Sequence, residues 1–255
     1  MKTFTAAAGV LALASLLGAC DLAFSNFHEE ATESWSKTFP LTATGRLEIA
    51  NTNGRITVEA GGGADVEARA VRKARGATKE AAAENLKNVT IRETASPDLV
   101  KLETSIPSMH GGSASVDYIV RVPAGATVSL QSSNGEISIT AVSGPVEMRT
   151  NNGTVEGHQL GGPVKARTNN GKVDVELAAL TGDVTLGTNN GEVSLTLPKS
   201  SKADFNLELN NGEIEVEGFT VEGEKSRRRV NGTVNGGGSH VKADTTNGAI
   251  RIIGR

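Results

Sequence analysis

The pentapeptide Arg149-Thr150-Asn151-Asn152-Gly153 returns one repeat later as Arg167-Thr168-Asn169-Asn170-Gly171, and its last four letters return again as Thr188-Asn189-Asn190-Gly191. Between these copies apolar and polar residues alternate, as in Val164-x-Ala166-x-Thr168 and Val173-x-Val175-x-Leu177. Strict alternation sends one set of side chains inward and the other to solvent, the pattern of a half-buried strand. Asn and Gly tolerate the positive φ angles of a tight corner. Each repeat therefore predicts two short strands meeting at an Asn-Gly corner.

The same dipeptide recurs at Asn53-Gly54, Asn134-Gly135, Asn211-Gly212, Asn231-Gly232 and Asn247-Gly248. A second turn lies half a period earlier, in Ser143-Gly144-Pro145, Gly161-Gly162-Pro163 and Thr181-Gly182-Asp183. A period of roughly 18–21 residues marks a solenoid, whereas a meander of hairpins requires no such recurrence. Stacked coils place equivalent Asn residues in a ladder, satisfying polar groups at a buried corner. The expected fold class is all-β: a right-handed parallel β-helix or β-solenoid, the hand following the general preference of parallel crossovers. Val146 to Val155 and Val164 to Val173 are each nine apart, which fails the register of a hexapeptide helix. Asn amides stand where a calcium-binding nonapeptide roll needs Asp, so stacked calcium is not expected.

Outside the clean repeats the theme varies. Leu47-Glu48-Ile49 and Ile56-Thr57-Val58 flank the first Asn-Gly corner, and Val66-x-Ala68-x-Ala70 reads as a continuation of that coil. Residues 78–87 (TKEAAAENLK) break the alternation with strong helix formers behind a Thr cap, predicting one short inserted helix that covers an open sheet edge. Val89–Glu93, Leu99–Glu103 and Val116–Val122 resume as strands around a loop at Met109–Ser115. Arg227–Asn235 and the last strand, Ala249–Ile253, are expected to close the stack.

The 255 residues include 30 Gly, one Cys and few aromatics, with a formal charge of −3. Near-neutral charge and scarce rings remove the footprint of a nucleic-acid binder. A single cysteine excludes an internal disulfide framework and a Cys-rich zinc site. That cysteine closes Leu17-Gly18-Ala19-Cys20 behind a short apolar stretch opened by Met1-Lys2. The segment is too short and too rich in Ala and Gly to span a bilayer, and it resembles a bacterial lipobox. The expectation is a signal peptide over 1–19, lipidation at Cys20, a polar tether over 20–37 and a β-solenoid domain over 38–255. The location implied is the cell envelope, lipid-anchored to a bacterial membrane, periplasmic or surface-exposed.

Val122-Pro123-Ala124-Gly125, Val128-x-Leu130-x-Ser132-Ser133-Asn134-Gly135, the Thr-Asn-Asn-Gly repeats and Thr246-Asn247-Gly248-Ala249-Ile250 together resemble a bacterial domain-of-unknown-function family labelled "putative adhesin". The resemblance covers about residues 38–255 and implies a right-handed β-solenoid in an envelope protein. It carries over no catalytic residues.

Alternation assigns the outward positions after each corner: Glu136, Glu156, Lys172, Asp174, Glu176, Glu192, Glu213, Glu215 and Glu217. The face is acidic, and Glu156, Asp174, Glu192, Glu213, Glu215 and Glu217 are the candidates for binding a cation or a basic partner. The simpler reading is a solvated face that keeps the stack soluble. Glu147, Arg149, Lys165 and Arg167 give the opposite face a mixed, partly basic character. Arg227-Arg228-Arg229 reads as a guard on an edge strand or a contact for anionic headgroups. His28, His110, His158 and His240 lack ligand spacing, so no metal or other cofactor is expected. Three functions fit this pattern. The first is a non-enzymatic envelope lipoprotein offering a scaffold for adhesion or for a protein or glycan surface. The second is an accessory in envelope assembly or stress. The third is a polysaccharide lyase or hydrolase, disfavoured by short loops and by carboxylates and arginines on different faces.

Overall fold

The computed structural model describes residues 29–107 and 112–255. The lipobox and Cys20, His28, His110 and the start of the loop expected from Met109 lie outside them. The first part of the chain forms β1 (Glu29–Pro40), β2 (Arg46–Asn53), β3 (Ile56–Gly61), β4 (Asp65–Gly76), α1 (Lys79–Lys87), β5 (Thr90–Ser96), β6 (Leu99–Ser105) and β7 (Ser113–Pro123). The repeats form β8 (Thr127–Asn134), β9 (Ile137–Thr140), β10 (Val146–Asn152), β11 (Val155–Leu160), β12 (Val164–Asn170), β13 (Val173–Leu177), β14 (Val184–Asn190) and β15 (Val193–Leu197). The chain ends in β16 (Ala203–Glu217), β17 (Glu222–Lys225), β18 (Arg229–Val234) and β19 (Ser239–Gly254).

The repeats stack in parallel, in register, along two rows. Val128, Val146, Val164 and Val184 align in the row β8–β10–β12–β14, and Ile137, Val155, Val173 and Val193 align in β9–β11–β13–β15. Each coil is one strand from each row, bent at its Asn-Gly corner. The inward positions are fully buried, and the Val, Leu and Ile side chains of both rows share one core. A space this thin suits branched aliphatics and excludes most rings, which explains the aromatic shortage.

Chain order and stacking order part company at both ends. Beside β2/β3 lies β6/β7, although β4, α1 and β5 intervene in the chain. At the other end β14 and β15 pair with β19, and only then does β19 pair with β16. The last strand is thus inserted between two coils instead of closing the stack. The sheet is large and mixed, mostly parallel, with antiparallel pairs confined to the ends: β1–β4, β4–β7, β5–β6, β16–β18 and β17–β18. Three further expectations fail here. Val66–Ala70 belongs to an antiparallel strand, not a continuing coil. Asn231-Gly232 lies inside β18, paired with β16 and β17, and is no corner. Ser113–Ser115 of the expected loop already pair with β4 as the start of β7. Parity alone cannot separate a coil strand from an antiparallel one, because both alternate with period two.

Strand β1 begins at Glu29, so residues 29–37 of the expected tether pair with β4. Little alternation marks them. Ala31 and Trp35 nonetheless pack against the core, and cross-strand pairs join Glu33 to Arg72 at 2.7 Å and Glu30 to Arg75 at 2.9 Å. The helix forms where expected. Thr78 caps it, its hydroxyl accepting from the Ala81 N–H at 3.2 Å, while Ala82 and Leu86 bury against β4 and β1. No helix among the described residues is long and apolar enough to cross a membrane.

Candidate functional site

The corner motif builds two polar ladders of different kinds. The Asn before each Gly donates its Nδ2–H to the Oδ1 of the equivalent Asn in a neighbouring coil. The chain of amides runs Asn211→Asn247→Asn190→Asn170→Asn152→Asn134→Asn53, every link 2.8–2.9 Å. These side chains are exposed, Asn53 partly so, which corrects the expectation of a buried corner. The buried polar ladder is made by threonine. Thr150, Thr168, Thr188 and Thr245 point inward and donate to the carbonyls of Gly135, Gly153, Gly171 and Gly191 at 3.0–3.2 Å. Glycine is obligatory beneath them: Gly171 has φ +150°, and a Cβ there would stand 2.1 Å from the Gly153 carbonyl oxygen. The pentapeptide therefore divides its work among an inward Thr, an outward Asn and a Gly that lets adjacent coils touch.

Outward side chains of the second row stand in register, so coils about 4.8 Å apart bring charges into rows. Cations interleave with the carboxylates. Arg251 of β19 lies between Glu215 (3.0 Å) and Glu192 (3.3 Å), while Lys172 contacts Asp174 (2.7 Å) and Glu192 (3.9 Å). Arg55 meets Glu136 at 3.2 Å, and Arg255 pairs with Glu176. His158 stands 3.9 Å from Glu156 and 3.8 Å from Glu176. The Asp174 hydrogen bond, then its charge and those of Glu192 and Glu156, raise the Lys172 pKa against its partial desolvation.

On the first row's outer face, Arg167 reaches across the glycine at 187 to Asp244 at 2.7 Å. A Cβ on Gly187 would lie 2.9 Å from Asp244 and 3.1 Å from the Arg167 guanidinium, so the missing side chain opens the path for this pair. Open concavities break the surface of the described residues, two of them beside these rows. One, about 380 Å³, is lined by Arg46, Pro145, Pro163, Lys165 and Asp183. The other, about 710 Å³, lies where β4, β7, β3 and the following corner meet, lined by Arg55, Val71, Lys73, Asp117 and Ile119. Ile119 is 57% exposed, unusual for so large an apolar side chain. Burial pushes the Asp117 carboxyl up. The Lys73 ammonium at 2.7 Å, the Arg55 N–H at 2.9 Å and their charges outweigh that and hold it below its usual range. The same hydrogen bond and charge raise the Lys73 pKa.

Residues 98–253, more than half of the chain, match the family model described as Toastrack DUF4097. The chain belongs to the toastrack DUF4097 family. Its fold is similar to that of a "putative cell adhesion protein" from Clostridium sporogenes, at 16% identity and a TM-score of 0.55 over 88% of this chain and 100% of that one. A "putative adhesin" from Bacteroides fragilis aligns over 87% and 97% of the two chains, at 8% identity and a TM-score of 0.41. Another from Parabacteroides merdae aligns over 87% and 96%, at 6% and 0.24. No curated protein matches the sequence.

Within this toastrack the six expected acidic residues do share one face, but not as a bare acidic site. Glu192 and Glu215 are tied to Arg251, Asp174 to Lys172, Glu156 approaches His158, and Glu213 pairs with Arg227 at 3.5 Å; Glu217 is exposed at the edge. Sequence reasoning missed Arg251 because the inserted β19 brings it beside Glu215 from a distant part of the chain. Of the basic run, Arg227 meets Glu213 and Arg229 meets Glu208 at 3.2 Å. Among the described residues no cluster of three His, Cys, Asp or Glu is placed to hold a metal ion. The buried Thr ladder was visible as a recurring letter, yet its role required knowing which carbonyl lies beneath it.

Proposed function

We propose that the protein is a non-enzymatic, lipid-anchored component of the bacterial cell envelope whose stack serves as a scaffold for adhesion or for contact with a protein or glycan surface. The observation that carries this reading is the arrangement of outward side chains. They form registered rows whose charges are spent largely on one another, and the concavities beside them are open. A surface of this kind suits broad contact better than enclosing a small substrate and excluding water from it. The toastrack family and the Clostridium sporogenes neighbour named for cell adhesion support the same direction. The coil winds right-handed in this reading, following the rule for parallel crossovers. Cys20 carries the anchor, because two or more acyl chains hold a protein on a bilayer where one is marginal.

The test separates anchor from role. The Cys20→Ala variant is expected in the soluble fraction while the parent sediments with membranes; co-sedimentation of the variant refutes the anchor. Protease added to intact cells is expected to remove the domain, and cells lacking the gene are expected to lose attachment to a glycan or protein surface. Full protection until the outer membrane is breached would instead favour a periplasmic assembly role.

A further inference from the structure

An Asn-Gly bond is chemically fragile, because glycine has no Cβ to keep its backbone nitrogen from the preceding side-chain amide. The stack carries seven such corners, each with an exposed or half-buried Asn, and it protects them unequally. At the interior corners the glycine N–H is held by the carbonyl of the Asn in the next coil. The bonds run from Gly54 to Asn134, Gly135 to Asn152, Gly153 to Asn170, Gly171 to Asn190 and Gly191 to Asn247, at 2.8–3.0 Å. Gly248 faces β16 in the same register, opposite Asn211-Gly212. The interior amides are also held twice, donating to one neighbour and accepting from the other.

Asn211-Gly212 is the outermost corner, and among the described residues no further coil lies beyond it. Strand β18 covers β16 only from Ala203 to Glu208. Past that point Leu209 N–H reaches the Arg228 carbonyl at 3.1 Å and Ile214 N–H reaches that of Arg227 at 3.0 Å. Between these two bonds the Gly212 N–H has no backbone acceptor among the described residues on that side. Asn211 donates to Asn247, but among the described residues no neighbour donates to its own Oδ1. Both residues are exposed. Two Asn-Gly bonds lie off the ladder. The one at 231 sits between two paired strands and is shielded on both sides. The one at 235 is in the exposed turn after β18, where Asn235 donates its Nδ2–H to the carbonyls of Lys199 and Ser201 at 2.9 and 2.7 Å.

We propose that Asn211 is a site of spontaneous deamidation, the one ladder corner that the fold leaves open to it. The Gly212 nitrogen gives its proton to solvent and attacks the Asn211 side-chain carbonyl carbon. The new C–N bond closes a five-membered imide as the bond to Nδ2 breaks and ammonia leaves. Water then opens the ring at either carbonyl, leaving aspartate or isoaspartate. The product replaces the donor to Asn247 Oδ1 by a carboxylate beside Glu213, so modification removes the last ladder link and loosens the end coil.

Tryptic cleavage places Asn134, Asn152, Asn170, Asn190, Asn211 and Asn247 on different peptides. The full chain is incubated in mildly alkaline buffer, and each peptide is scored for the mass change of amide to acid and for isoaspartate. Asn211 is expected to react at least about tenfold faster than the interior corners, which react only through local opening of the stack. In denaturant the rates are expected to converge. Equal rates in the folded chain, an interior corner reacting first, or an Asn211 lead that persists in denaturant would each overturn the proposal.

Discussion

Replacing Gly171 with alanine tests whether touching backbones, and not propensity, set the spacing of the coils. The added Cβ would lie 2.1 Å from the Gly153 carbonyl oxygen and 2.7 Å from its carbon, at a φ of +150°. Holding a side chain in that region costs about 1–3 kcal/mol. Relieving the clash moves one coil by about an ångström, since carbon and oxygen pack no closer than roughly 3 Å. That shift stretches the two bonds that join these coils, from the Gly153 N–H to the Asn170 carbonyl (3.0 Å) and from the Thr168 hydroxyl to the Gly153 carbonyl (3.0 Å). At about 1 kcal/mol per hydrogen bond the total loss is about 3–5 kcal/mol. Gly62→Ala is the control, because nothing lies within 4 Å of its Cβ position and its φ is not in the positive range. Urea unfolding followed by circular dichroism is expected to show a large fall in midpoint for Gly171→Ala and almost none for Gly62→Ala. With a slope of about 2–3 kcal/mol per molar, the first shift is about 1–2 M. Equal midpoints for the two variants would refute the argument that glycine is required by coil contact.

Thr168→Val removes a buried hydroxyl and leaves the Gly153 carbonyl without it, so a loss of about 1–3 kcal/mol is expected in the same unfolding assay. Asn170→Ala, at an exposed rung, is expected to cost less than Thr168→Val; the reverse order would show that the outer amides hold the corner. Arg251→Ala unties Glu192 and Glu215 at an exposed surface where solvent screens ion pairs. Its destabilisation is expected to be small and to vanish in high salt, and an effect unchanged by salt would mean that Arg251 acts through packing. The Lys73–Asp117 pair sets a pH window. Asp117 titrates below its ordinary value of 3.8, so its contribution is present above that pH and is lost as pH falls through the lower folded pKa. Lys73 titrates above 10.5, so its contribution is complete below that pH and is lost as pH rises through the higher folded pKa. The stability difference between the parent and Asp117→Asn is therefore expected to be flat between these limits and to shrink outside them; a difference varying through neutral pH would implicate another group.

How far the chain could be read depended on where each signal was stored. The repeats from Val128 to Leu197 were legible because strand, corner and partner all recur from one coil to the next, and burial follows parity almost without exception. Helix α1 was legible because Thr78 and the Ala-rich run act locally. Strand β1 was obscure, since its partner is β4, which lies beyond β2 and β3 in the chain. On the candidate face the carboxylates were read correctly as neighbours, but their partners were not, because Arg251 arrives from the last strand.

By itself the amino-acid sequence determined the coil: its period, its inward and outward sides, its glycine corner and the scarcity of rings in its core. Those properties follow from backbone geometry and side-chain size within one repeat, and they hold wherever the repeat sits. Only the tertiary structure decided the order of the coils. Every coil offers nearly the same parallel edge with the same Val-Thr-Asn-Gly register, so local pattern cannot tell which edge meets which. Placing β6/β7 outside β2/β3, and β19 between β14/β15 and β16, is a choice among near-equivalent edges. That choice set the charge of the outward face, and it left Asn211 as the corner with a neighbour on one side only.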